Sequence, residues 1–170
     1  GRREFERIDL RERSLKSLHL ADARFCWADM TNSDIEAANL DRTDLTGAMM
    51  WRADISNASL LWANLHQAVM VRCKAVGANL SGASLHRTDL RLADLQSACL
   101  AGADMRGAKL CYSDLRRANL TGADLTGADL TGAKLIGACL DSVCWQAAVL
   151  PPDESAGLNA VSLASTKSRE

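Results

Sequence analysis

The chain is poor in aromatic residues. It has four Trp, two Phe and one Tyr in 170 residues, 4% in all, while apolar residues reach 48%. Such a composition excludes an interior filled by rings and points to a narrow one. Proline is almost absent, occurring only as Pro151-Pro152. Neither charge dominates. The formal net charge is −1, and residues 21–150 hold 14 acids against 12 bases. That balance argues against a basic nucleic-acid-binding surface and equally against a strongly acidic one. No apolar run approaches the roughly 18 residues that a membrane-crossing helix needs, so membrane insertion is not expected. Six cysteines are present, but none forms a Cys-x-x-Cys pair. Scattered thiols of this kind suit a reducing compartment such as the cytoplasm better than a disulfide-stapled secreted domain. No secretory leader is recognisable. The chain begins at Gly1 rather than Met, as a processed or excised product does, so a targeting segment would be out of view.

What the chain has in abundance is one five-residue phrase. Ala118-Asn119-Leu120-Thr121-Gly122-Ala123-Asp124-Leu125-Thr126-Gly127-Ala128-Asp129-Leu130-Thr131-Gly132 repeats a pattern of small, polar, Leu and two freer positions. The phase holds from Leu10 to Leu150. Every fifth residue there is Leu, Ile, Met, Phe or Trp, with Ala75 the exception. Two residues earlier the position is almost always Ala. A period of five is neither the 3.6 of a helix nor the 2 of a long strand. It is satisfied by a very short strand, in-out-in, followed by a two-residue corner. Gly recurs at the second corner position (Gly47, Gly77, Gly82 and six more), where a type II turn requires positive φ. Strand and corner repeated make a coil. Coils stack at the inter-strand spacing of about 4.8 Å, with hydrogen bonds running between them.

The phrase Ala123-Asp124-Leu125-Thr126-Gly127 resembles the motif of the pentapeptide-repeat family. The resemblance covers about residues 20–150 and implies a right-handed quadrilateral β-helix with four repeats, or 20 residues, per coil. The fold class expected is therefore all-β, a solenoid of about six to seven coils with short terminal caps. Residues 1–20 read as an N-terminal cap and irregular first coil, and Phe5 and Ile8 are spaced to share one face of a short covering helix. Residues 21–150 form the β-helix body. Residues 151–170 read as a C-terminal cap or flexible tail, opened by prolines that cannot donate to a ladder. Solenoid ends need covering, so self-association through the rod ends is a further possibility. Two short strings, Arg3-Glu4-Phe5 and Cys73-Lys74-Ala75-Val76-Gly77-Ala78-Asn79-Leu80, are also similar to eukaryotic BTB-domain proteins with a pentapeptide-repeat tail. That likeness implies a partner-recognition tail of an adaptor.

Placing the outward residues in a 20-residue frame singles out one face. Met49 and Val69 stand there where Asp or Asn is usual. Beside them come Trp51 and Val71, then Arg52, Arg72, Leu92 and Tyr112. Trp, Tyr, Met and Arg are enriched in protein interfaces, and a contiguous exposed apolar patch marks a binding surface. These eight residues are the expected partner site. Trp62 with Leu61 and the corner residue Trp27 are secondary candidates. His66 and His86 fall in one column, Cys26-Thr46-His66-His86-Arg106, but two ligands are too few for a structural zinc site, so no metal or cofactor is expected. Lys74 between Asp54 and Asp94, and Lys134 after Asp114, read as a charge-relieving ladder. Cys73 occupies an Ala slot and reads as a small core residue, whereas Cys99 and Cys139, two coils apart, lie beyond disulfide reach. Ala75 leaves a Leu-sized slot short of volume, which predicts a local rearrangement with Val76 turning inward. No nucleophile, base and orienter come together, and a rod with a filled core offers no cleft of ligand size. The function expected is a non-catalytic protein-interaction or assembly scaffold. The alternatives are a permanent structural subunit of a large complex, or a topoisomerase-modulating DNA mimic, which would carry a continuous negative stripe.

Overall fold

The computed structural model describes residues 3–151. The backbone turns a corner every five residues and returns to register after 20. Single-residue parallel pairings link each outward polar position to its counterpart one coil on, from Glu4 with Arg24 to Asp129 with Val149. Four such positions occur per coil, so the coil has four sides. The first side carries Glu4, Arg24, Asp44 and onward. The second carries Asp9, Asp29, Met49, Val69 and Asp89. The third carries Ser14, Asp34, Asp54, Lys74 and Asp94. The fourth carries His19, Asn39, Ser59, Asn79, Cys99 and Asn119.

The hydrogen-bond pattern explains the five-residue phrase. The N–H at each Leu position donates to the next coil, as from Met50 to the Val69 carbonyl at 2.7 Å. The outward residue donates to the preceding coil, as from Met49 to Ala28 at 2.9 Å. The second corner residue donates to the next coil, and the Ala-position N–H closes the turn onto the Leu carbonyl, as from Ala53 to Met50 at 3.1 Å. One N–H per repeat is left over, that of the first corner residue. An outward Asp or Asn accepts it: Asp29 takes the Thr31 N–H at 3.0 Å, Asn39 that of Asp41 at 2.9 Å and Asp124 that of Thr126 at 2.9 Å. The preference for Asp or Asn before Leu is thus a backbone requirement.

Inside, Ala and Leu positions are sealed from solvent from Ala23 to Leu135. The polar residues that replace Ala are satisfied locally. Ser33, Thr43 and Ser113 donate to the carbonyls of Met30, Leu40 and Leu110 at 2.6, 2.7 and 2.8 Å, and Thr88 donates to Leu65 at 2.7 Å. Cys73 lies fully inside, and burial pushes its thiol up to about 12. All six cysteines are free thiols.

Every second corner residue from Arg7 to Ala147 has positive φ, and 20 of them are not glycine, with φ between 53° and 62°. The left-handed region costs an ordinary residue about 1 kcal/mol or more; from Arg7 to Arg117 the inter-coil bond made by each of these N–H groups holds it there. Side chains at these corners lean over the next coil. Trp27 lies across Gly47 and Trp62 across Gly82, so closely that a Cβ on either glycine would overlap the indole; Tyr112 lies across Gly132 in the same way.

Two expectations are corrected. The covering helix does not form: residues 3–20 make a regular coil, with Glu4 paired to Arg24 and Phe5 stacked on Phe25 at 5.0 Å. The Phe5–Ile8 spacing suits a helix, but it suits the Leu and Ala positions of the five-residue frame as well, and ring stacking favours the latter. Nor does Val76 turn inward. Ala75 and Gly77 keep their inter-coil bonds at 2.7 and 3.0 Å, and Val76 stays at the corner, half-buried. The ladder holds the coil in place regardless of side-chain volume. The expected C-terminal element over 151–170 lies outside the described residues except for Pro151.

Candidate interaction face

The second side carries the eight residues singled out from sequence. Met49 pairs with Val69 in adjacent coils, and Met49 is flanked by Asp29 as Val69 is by Asp89. Met49, Trp51 and Val69 expose 44%, 36% and 37% of their surfaces, large values for apolar side chains on a regular wall. Val71 is half-buried between them and Arg91. At the corner, Arg52, Arg72, Leu92 and Tyr112 follow one another coil by coil, all exposed. The Arg52 guanidinium sits 4.2 Å above the centre of the Trp51 ring, a cation–π contact that orients it.

Polar pairs frame this surface. Towards the N-terminal end, Arg11 binds Asp9 through both nitrogens at 2.9 and 2.6 Å and reaches Asp29 at 3.8 Å. The Arg11 hydrogen bonds hold the Asp9 carboxyl down to about 2. On the other side, Arg91 grips Asp89 at 2.8 and 2.7 Å. Burial pushes Asp89 upward, but the hydrogen bonds from Arg91 outweigh it and the carboxyl lies below its ordinary value. The apolar centre thus lies between two self-neutralised acid–base pairs.

The secondary candidates are elsewhere. Trp62 is the most exposed aromatic at 68%, but it lies on Gly82, and Leu61 beside it is half-buried. Trp27 borders an open depression of about 620 Å³ with Glu6, Arg24, Asp44 and Thr46. A hollow of this size departs from the cleft-free rod expected. Its charged groups are already engaged with one another: Arg24 bridges Glu6 at 2.8 Å and approaches Asp44 at 3.9 Å. The His66 and His86 rings are 5.0 Å apart and tilted. No group of three or more His, Cys, Asp or Glu that could hold a metal ion occurs among the described residues. Lys74 meets Asp54 at 3.1 Å, while Asp114 is taken mainly by Arg116 at 2.6 Å, with Lys134 at 4.0 Å.

Sequence reasoning missed the seating of Trp27, Trp62 and Tyr112 on glycines. The signal was present: each aromatic has Gly 20 residues later.

A sequence model of pentapeptide repeats, in eight copies, matches residues 8–47, 37–70, 73–110 and 112–144. The chain belongs to the pentapeptide repeat family. Its members form right-handed quadrilateral β-helices, in keeping with the four-sided, 20-residue coil described above. No curated protein matches it. Among solved structures, this pentapeptide repeat chain is similar to QnrB1, a plasmid-mediated fluoroquinolone resistance protein, in a trypsin-treated form. The TM-score is 0.52 and the identity 16%, with 88% of this chain and 80% of that chain covered. HetL, involved in heterocyst differentiation regulation in the cyanobacterium Nostoc sp. strain PCC 7120, is 28% identical over 89% of this chain and 93% of its own, with a TM-score of 0.35. Rfr23 from the cyanobacterium Cyanothece 51142 is 23% identical over 87% of this chain and 88% of its own, with a TM-score of 0.37.

Proposed function

We propose that this pentapeptide repeat chain is a non-catalytic protein-interaction or assembly module that holds a partner protein against its second side. The interaction body in this reading is residues 21–150, about six and a half coils of 20 residues, flanked by terminal segments. The observation that carries the proposal is the stacked apolar pair Met49 and Val69, standing where the repeat calls for Asp or Asn and continued sideways by Trp51 and Val71. Replacing an exposed carboxylate by an apolar side chain twice in succession leaves a hydration cost that only a covering surface removes. Arg52, Arg72, Leu92 and Tyr112 extend the contact along the corner.

A DNA-mimic reading draws less support. Lys74 and Lys134 break the third side, Arg24 and Ser84 the first, Met49, Val69 and Lys109 the second, and the fourth has no acid in its outward column. A duplex-like negative stripe has no uninterrupted track along these columns.

The test compares wild-type chain with a Trp51→Asp/Arg72→Glu double variant as baits in native extract, after circular dichroism has shown both folded. A partner retained by wild type and lost by the variant is the expected result. Equal recovery by both baits would exclude this face and direct attention to Trp62, Trp27 and the rod ends.

A further inference from the structure

Many charges on this rod are paired, either across one coil or with a residue two positions away. Arg42 meets Asp22 at 2.8 Å, Lys16 meets Glu36 at 2.5 Å, and Lys74 meets Asp54 at 3.1 Å, each across one coil. Arg11, Arg91, Arg106 and Arg116 each close on the Asp two residues earlier at 2.6 to 2.7 Å. Arg52 and Arg72 make no such pair, in common with Arg7, Arg13, Arg87, Lys109 and Arg117, but they differ from these in standing one above the other. They are the one place where two Lys or Arg residues stand 20 apart in sequence, hence in adjacent coils about 4.8 Å apart in backbone. No carboxylate lies within 4.0 Å of either among the described residues. Two like charges on adjacent coils repel, and an anion between them relieves the repulsion.

A second observation concerns the backbone. The N–H groups of Trp51 and Val71 make no hydrogen bond among the described residues, because Met49 and Val69 bring no carboxylate or amide to accept them. Val76, His86, Ala101 and Cys111 share this condition singly, each with accepted neighbours in the coils on both sides, and Ala21, Cys26, Ile136, Asp141 and Gln146 share it towards the two ends. Apart from Glu6 and Cys26 at the N-terminal end, Trp51 and Val71 are the one consecutive pair among the described residues. Two idle donors and two unpaired guanidinium groups thus surround one apolar patch.

We propose that the partner presents an acidic side chain embedded in apolar residues, its carboxylate seated between Arg52 and Arg72 and its apolar neighbours on Met49, Trp51, Val69 and Val71. This rests on the reading of the second side as the binding face and adds the chemistry of what binds there. An Arg pair in adjacent coils takes a carboxylate with two-point geometry, and the cation–π contact with Trp51 holds the first guanidinium ready. Nucleic acid fits less well: the neighbouring cations Arg11 and Arg91 are already closed on Asp9 and Asp89, and the surface about Arg52 and Arg72 is apolar and rimmed by Asp29 and Asp89.

The experiment pans a phage-displayed library of random 12-residue peptides against the whole chain, then measures the enriched peptides as synthetic, fluorescein-labelled probes. The expected peptides carry Asp or Glu beside large apolar residues. Their binding weakens at least tenfold in Arg52→Glu/Arg72→Glu, weakens less in Arg52→Gln/Arg72→Gln, falls as salt is raised, and is unchanged in Trp62→Ala. Peptides that lack an acid yet are lost on Val69→Asp overturn the acidic partner and leave the binding face standing. Peptides indifferent to both Val69→Asp and the charge reversal overturn the binding face as well. A library that yields no binder overturns the acidic-peptide proposal. Circular dichroism of each variant separates loss of binding from loss of fold.

Discussion

The second and fourth sides of the rod are opposite walls with the same backbone and different chemistry. Both depart from the Asp/Asn rule. On the fourth side Ser59 replaces it, and the neighbouring coil makes good the loss: Asp41 accepts the Leu61 N–H at 3.0 Å and the Ser59 hydroxyl at 2.5 Å. Asn39, Asn79 and Asn119 serve their own corners. On the second side Met49 and Val69 replace it, and nothing steps in for Trp51 or Val71. The fourth side repairs the gap at Ser59 and leaves its other missing acceptors, at Ala21, Ala101 and Asp141, isolated from one another. In the proposed reading, a wall that keeps two in a row unrepaired, under apolar side chains, is the one a partner covers. The two walls differ in succession: Trp51 and Val71 lack an acceptor in adjacent coils, under apolar side chains, whereas the gaps on the fourth side stand apart.

The largest expected effect tests whether the walls differ underneath. Met50→Ala behind the second side and Leu60→Ala behind the fourth should each cost about 2–5 kcal/mol in chemical denaturation. Both side chains are fully enclosed, so similar losses confine the difference to the surface, and a clear inequality would place it in the core. Next, Asp41→Ala should destabilise by about 1–3 kcal/mol, since it strips the acceptor from Leu61 and Ser59 together. A neutral result would mean that water replaces Asp41 and that the repair is incidental. Smaller and opposite in sign, Met49→Asn/Val69→Asn should raise stability by about 0.5–1.5 kcal/mol, by giving Trp51 and Val71 their acceptors, while abolishing partner binding. Loss of stability there would break the comparison.

The smallest effect is a pH dependence that the fourth side does not share. Asp9, Asp89 and Asp129 on the second side, Asp44 and Asp104 on the first, and Asp54 and Asp114 on the third all lie below the ordinary carboxylate value. Hydrogen bonds from the corner two residues on contribute in every case. A carboxyl depressed in the folded state binds its proton more weakly than in the unfolded chain. Its stabilisation is therefore present above about pH 4 and drains away as pH falls through the lower folded values. Melting temperature should be flat from neutral pH to about 5 and drop below 4. Asp89→Asn should flatten that drop slightly, whereas Asn79→Ala should shift the curve without changing its slope.

The period of five, the inward Ala and Leu positions and the corners with positive φ were legible from residues 20–150, because each repeats a local rule many times over. The face around Met49 was legible as an exception to the same rule. What the sequence hid was the competition between equally fitting patterns. Phe5 and Ile8 satisfy a helix and a coil alike, and stacking on Phe25 decides. Ala75 is a volume defect that side-chain reasoning resolves by movement, whereas the hydrogen-bond ladder tolerates it without any. The unpaired state of Arg52 and Arg72 needed the coil frame and the absence of a carboxylate within reach, which spacing alone does not supply.

The pairing of each outward residue with the one 20 positions on also makes the rod a combination lock. Five-residue units are interchangeable to the core, so deleting one from a corner-bounded stretch leaves Ala on Ala and Leu on Leu. Everything beyond the cut, however, rotates by one side. Excising residues 81–85 would bring Leu92 and Tyr112 round to a different wall, separating them from Arg72 without disturbing the fold. Length changes in this chain are thus neutral for the face only in whole coils, and insertions of five would act as switches of surface rather than of structure.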